Sequence, residues 1–223
     1  MSIHSYINTF HTAEDAFDYF YNKINSEGTQ RANGTKRLRN IGFYILKPED
    51  NHIETPFRNW NDKYAKREFD WYLSQNRSVE ELKKFAPIWD IMHNGDNIVN
   101  SNYGWQWNRN NQIEKCISQL QHDSTTRHAW LSIFDGKEKK DYRHDTPCTL
   151  NIGFEVSDCG EKLDMTVLMR SNDLWFGFCN DQYCFSEMHK LVAKEMKLKT
   201  GTYFHYAADL HLYNDFLNRN ETN

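Results

Sequence analysis

The stretch LDMTVLMRSNDLWFGFCNDQYCFSEMHKLVAKEMKL, residues 163–198, decides how the chain is read. Residues 163–170 are rich in apolar and β-branched side chains and predict a strand. Residues 181–198 predict a helix. Between them, RSNDLWFGFCND (170–181) crowds a cation, a hydroxyl, an amide and two carboxylates around an aromatic and glycine centre. Polar groups this dense beside an apolar run predict a pocket for a polar ligand. A polar turn with Asp181 as helix N-cap would use the same residues.

Working outward, RHAWLSIF (127–134), CTLNIGFEV (148–156) and TYFHYAADLHLY (202–213) also predict strands, so the second half is mostly β. The first half reads differently. Residues 12–27 predict an amphipathic helix whose Phe17, Phe20, Tyr21 and Ile24 share a face, with Thr12 and Asp15 as a capping box. A polar, basic loop follows (28–37), then a strand, IGFYIL (41–46). Helices are expected at 64–75, after Ser78 with Glu81 as its cap, and at 110–121, with a loop over 93–104. No repeat, low-complexity segment or interior linker divides the 223 residues, which predicts one α+β domain over 1–223.

Composition narrows the function. Net charge is −4, against a nucleic-acid-coating protein. No apolar run is long enough to span a membrane, and the acidic N-terminus, read as helical, is unlike a signal peptide. Five cysteines without a CxxC pair, and ten scattered histidines, disfavour a disulfide framework or metal site and predict a reducing cytoplasm, a host's if the chain is viral.

Several residues can carry chemistry. Cys148, after Pro147 and an HDT turn, opens a strand; a thiol there is a nucleophile if cations lower its pKa, and otherwise an inert buried thiol. Glu68 in REFDWY would gain a raised pKa against aromatics, or lie on a solvated helix face with Arg67 and Asp70. Tyr103 and Trp105 in SNYGWQW suit a core. His211 and Tyr213 alternate on one strand face and can jointly meet a ligand hydroxyl.

The order of these blocks resembles the thymidylate synthase family: a Glu-x-x-Trp helix, YGxxW, an Arg-containing turn, PC at a strand start, RSxDxxxG, then HxY, spanning about residues 64–215. Within it, the chain is similar to the phage deoxycytidylate hydroxymethylases. Asp181 stands where enzymes acting on dUMP carry asparagine. A carboxylate accepts from cytosine's amino group and stabilises a protonated ring, but leaves uracil's carbonyl without a donor, at about 1–3 kcal/mol. MRSND, FGF and Thr149 after the cysteine look like the hydroxymethylase wording. Only ten residues follow Tyr213, so a closing C-terminal lid is not expected, and hydration rather than reduction would complete the reaction.

The resemblance implies a mixed β-sheet flanked by helices, paired sheet to sheet in a homodimer. It implies a covalent Cys148 adduct on dCMP (or CMP), with 5,10-methylenetetrahydrofolate as co-substrate and no metal. Glu68 would position water and relay protons, Tyr103 would sit beside the nucleophile, and Asp181 would hold the base. Asn172 would order water near the base. Asp173, Trp89 and Gly177 would face the folate, and His211 and Tyr213 the sugar 3′-hydroxyl. Arg170 and Arg31 would bind phosphate, with Lys36 or Arg37 as alternatives to Arg31, and Ser171 would bind substrate in the pattern that prefers the deoxy sugar. Arg127 would reach across the dimer. The position after it, where the family pairs a second arginine, is His128.

Overall fold

The computed structural model describes residues 7–93, 96–134 and 145–221. The first element among the described residues is a short strand, β1 (Asn8–Phe10), in a segment expected to be helical. Helix α1 (Ala13–Glu27) begins at the capping box read from the sequence: Asp15 N donates to Thr12 Oγ1 (3.2 Å) and Thr12 N to Asp15 Oδ2 (3.0 Å). After β2 (Thr29–Gln30), β3 runs over Thr35–Ile45, six residues earlier than expected. Its polar start, TKRLRN, gains a ladder with a later strand, which overrides the loop-like composition.

Helix α2 (Asp62–Ser74) is capped by Asn61 and ends at left-handed Gln75. The capped helix expected after Ser78 is only a 3₁₀ turn at Leu82–Lys84, and Ser78 instead bridges to Ile98. Short α3 (Trp89–Met92) follows. α4 (Tyr103–Asn108) starts inside the expected loop, of which residues 94 and 95 lie outside the described residues. Two left-handed asparagines, Asn110 and Asn111, delay α5 to Gln112–His122. The strand expected over 127–134 shrinks to β4 (Trp130–Ser132).

β5 (Thr149–Val156), β6 (Lys162–Met169), a two-residue β7 (Asn172–Asp173), α6 (Cys179–Glu195) and β8 (Lys199–Tyr213) complete the fold. Asp181 is not the N-cap of α6. A π-type turn over Leu174–Phe178 leads into that helix, and Asp173 caps the turn by accepting from Trp175 N and Phe176 N.

One mixed sheet has the order β1-β3-β8-β6-β5-β4, with β2 added on β3 and β7 on β8. β6 and β8 are parallel, and β3 and β8 antiparallel. Phe43, Ile45, Met165, Val167, Tyr203 and His205 are buried in one core with Phe17, Phe20 and Ile24 of α1 and Phe185 and Met188 of α6. At alternate positions, Tyr44, Thr166, Leu168, Phe204 and Tyr206 are only half-buried. Val79, Leu82, Trp89 and Val99 form a satellite cluster. No helix among the described residues is long and apolar enough to cross a membrane.

Candidate active site

Cys148 sits immediately before β5, at the mouth expected for it; His144 of the HDT turn lies outside the described residues. Two residues hold this mouth. The Tyr103 hydroxyl accepts from Cys148 N (3.3 Å) and Thr149 N (3.4 Å). Arg170, at the end of β6, donates to the carbonyls of Pro147 (3.0 Å) and Thr146 (2.6 Å), and its Nη2 lies 3.7 Å from Cys148 Sγ. The guanidinium does favour the thiolate. Burial outweighs it, with Asp181, Asp145 and Asp173 acting in the same direction as burial, and the thiol is pushed up to about 11. The expectation of a depressed pKa is thus corrected for the unliganded protein.

Glu68 does not lie on a solvated face: it is 7 % exposed. Tyr64 and Tyr72 stand one turn before and after it on α2. Tyr72 OH donates to Glu68 Oε1 (3.2 Å), and Tyr64 OH accepts from Trp89 Nε1 (2.8 Å). Glu68 Oε2 is buried with no hydrogen-bond partner. Burial pushes the carboxyl up to about 7, against the two tyrosine hydroxyls.

Asp181, in the first turn of α6, accepts from Asn172 Nδ2 (3.0 Å). Burial, then the charge of Glu68, holds its carboxyl well above the usual carboxylate range. The other amide atom, Asn172 Oδ1, is buried and unpartnered. Gly177 faces this pair: a Cβ there would lie 3.2 Å from Asn172 Nδ2, a tight approach, and 3.5 Å from Asp181 Oδ2, an ordinary contact. Asp173 is also raised by burial, although backbone N–H groups and His211 offset part of that rise.

Beside the thiol opens a cavity of about 350 Å³, lined by Arg31, Arg170, Ser171, His211 and Tyr213 together with Asn33, Thr35, Arg37 and Asp209. The last group includes three residues that sequence reading missed, Asn33, Thr35 and Asp209. Strand parity was the available signal: 209, 211 and 213 share a face of β8, and Thr35 and Arg37 lie opposite Tyr213 and His211 on β3. Of the alternatives to Arg31, Arg37 lines the cavity, whereas Lys36 points its Nζ at Asn25 O. Arg127 and His128 are not brought to this cavity; both are exposed on the segment before β4. Trp89 does not line this cavity; it packs in the satellite cluster and donates Nε1 to Tyr64 OH. Among the described residues, no cluster of His, Cys, Asp or Glu could hold a metal ion.

Comparison with known proteins identifies the family. Residues 17–223 match the thymidylate synthase family model. The deoxycytidylate 5-hydroxymethyltransferase of Enterobacteria phage T4 is 30 % identical over 196 residues, covering 81 % of this chain and 77 % of the relative. The deoxyuridylate hydroxymethyltransferase of Pseudomonas phage M6 is 28 % identical over 183 residues, 78 % of this chain and 51 % of its own. A putative thymidylate synthase of Methanocaldococcus jannaschii is 25 % identical over 215 residues, 90 % and 87 % of the two chains. With its mixed sheet, strand-mouth cysteine and arginine-lined cavity, the chain belongs to the thymidylate synthase family.

Proposed function

We propose that the protein converts dCMP to 5-hydroxymethyl-dCMP with methylenetetrahydrofolate as co-substrate. The observation that carries this reading is Asp181, a carboxylate steadied by Asn172 and electrostatically coupled to Cys148 and Glu68. Cytosine presents an amino donor and a ring-nitrogen acceptor: one oxygen of the acid accepts from the amino group, and the other pairs with the ring nitrogen through a proton shared between them.

The chemistry follows from the residues. Cys148, once deprotonated, adds through Sγ to carbon 6 of the ring and makes carbon 5 nucleophilic. Arg170 stabilises the thiolate and, with Arg31 and Ser171, holds the 5′-phosphate. Carbon 5 would then take from methylenetetrahydrofolate a one-carbon unit at the oxidation level of formaldehyde, and as the carbon-5 proton leaves, the bond from that carbon to the folate nitrogen breaks and tetrahydrofolate departs. Glu68, poised near neutrality with a free oxygen, takes the carbon-5 proton through water and orients the water that adds to the exocyclic methylene of the pyrimidine. Re-formation of the ring double bond expels Cys148 and leaves the product. Tyr103 keeps the Cys148 backbone in place, and His211 with Tyr213 meets the sugar 3′-hydroxyl. A flat heteroaromatic co-substrate would lie against Phe176, which exposes 49 % of its surface next to Gly177, with the carboxylate oxygens of Asp173 keeping further lone pairs for ring donors.

The same reading makes the protein a homodimer. A second copy would cover the half-buried face of Tyr44, Leu168, Phe204 and Tyr206, and Arg127, with His128 behind it, would complete the neighbour's phosphate site.

A second reading, hydroxymethylation of dUMP, is favoured by the similarity to the phage M6 enzyme and by the raised pKa of Asp181. A neutral carboxylic acid offers one donor and one acceptor, as an amide does. One assay separates the readings. The protein is incubated with methylenetetrahydrofolate and dCMP, dUMP or CMP, and products are identified by mass. Hydroxymethyl-dCMP is expected. A methyl product would refute the hydration step, turnover of dUMP alone would refute the base assignment, and turnover of CMP alone would refute the preference for deoxyribose.

A further inference from the structure

The phosphate and sugar sides of the cavity meet at one carboxylate. Asp209 lies on β8 two residues before His211, on the same face. Its Oδ2 accepts from Arg37 Nη1, and its Oδ1 lies 3.2 Å from His211 Nδ1. Arg37 and His211 are themselves register partners across β3 and β8. All three line the cavity that also holds Arg31, Arg170 and Ser171.

Two donors in this array are unfilled. Arg37 Nε is buried without a hydrogen-bond partner, and His211 Nδ1, though within ion-pair distance of Asp209, is not aligned for a hydrogen bond. An unfilled buried donor is costly, and a ligand that fills it recovers that cost. The charges also suit a phosphate. Asp209 neutralises one of the three arginines, leaving two positive charges for a phosphate dianion.

We propose that Arg37 is an additional phosphate-binding residue and that Asp209 is a positioning residue which couples phosphate recognition to recognition of the sugar hydroxyl. This deepens the nucleotide reading above and rests on it. When phosphate engages Arg37, the guanidinium turns on Asp209, and Asp209 sets the ring of His211 that faces the 3′-hydroxyl. The site thereby selects a 5′-phosphate and a free 3′-hydroxyl together rather than independently.

Calorimetric titration tests this with dCMP, dUMP, the unphosphorylated nucleosides and the 2′,3′-dideoxy monophosphates. Wild-type protein that bound neither dCMP nor dUMP would refute the nucleotide reading itself. Given wild-type binding, Arg37→Gln should weaken the monophosphate about ten-fold or more and leave the nucleoside unchanged. Asp209→Asn should shrink the penalty for removing the 3′-hydroxyl. Arg37→Lys, which keeps the charge but not the fork, should fall between wild type and Arg37→Gln. The neutral pair Arg37→Gln with Asp209→Asn leaves no unpaired charge, so it controls for misfolding and should bind like Arg37→Gln. Monophosphate affinity within two-fold of wild type in Arg37→Gln, equal loss for nucleoside and nucleotide, or an unchanged 3′-hydroxyl penalty in Asp209→Asn would each overturn the proposal.

Discussion

Glu68 is held with its proton in a place where an unfolded glutamate would have none. The free side chain ionises near 4.5, and the buried one near 7. Between those values the unfolded chain releases a proton that the folded chain keeps, so stability falls as pH rises through the window. Above it, the cost is about 3 kcal/mol. Glu68→Gln should therefore stabilise the protein by up to about 3 kcal/mol at pH 8 and hardly at all at pH 4, while abolishing turnover. Denaturant melts at the two pH values check this; an equal gain at both would contradict it. Cys148 has a similar tension. With its thiol pushed up to about 11, alkylation by iodoacetamide should keep accelerating beyond pH 9 in the unliganded protein. The measurement belongs in a Cys159→Ser background, because exposed Cys159 has its pKa lowered by Ser157 and would react first. At this scale the sequence named the candidate residues by type and order. It could not say whether burial or Arg170 would win at the thiol, because both depend on what surrounds the sulfur.

Elements carry these residues to one another. Glu68 rides on α2 and Tyr103 on α4, and the two helices touch at Gly104. A Cβ on Gly104 would lie 1.7 Å from the Tyr72 carbonyl oxygen, so only glycine permits the approach. Gly104→Ala should cost about 3 kcal/mol and lower activity at the same time, since the Cys148 mouth hangs from Tyr103 and Glu68 from α2. Thermal melts and steady-state rates check it; a wild-type melting temperature would show that the helices can separate freely. The capping box of α1 was legible because it is local, three residues apart. The start of α4 was not: Asn102 caps it by accepting from Trp105 N, and Asn102 itself donates to the carbonyls of Trp71 and Asn76. Those partners are 26 or more residues away in sequence, beyond any window of periodicity. The early start of β3 has the same origin. Its ladder to β8 joins residues more than 150 positions apart.

At the scale of the whole molecule, the sheet is covered by α1 and α6 on one face, while Tyr44 and Phe204, ring centroids 4.9 Å apart, stay half-buried on the other. Sedimentation should find a dimer, and Phe204→Asp should dissociate it. If Arg127 completes the neighbour's site, Arg127→Ala and Cys148→Ser proteins, each inactive alone, should recover about a quarter of wild-type activity when refolded together, because random pairing gives one intact site per mixed dimer. No recovery would place Arg127 outside the shared site. By itself, the sequence determined helices α1, α2 and α6, the strands of the second half, the family and the order of the candidate residue types: cysteine, glutamate, aspartate and arginine. Such features are local patterns or linear motifs. Only the tertiary structure decided that Glu68 is buried and near neutral, that Arg37 rather than Lys36 faces the cavity, and that Asp209 joins the phosphate side to the sugar side. Each of these depends on which strand lies beside which and on how much water that pairing excludes.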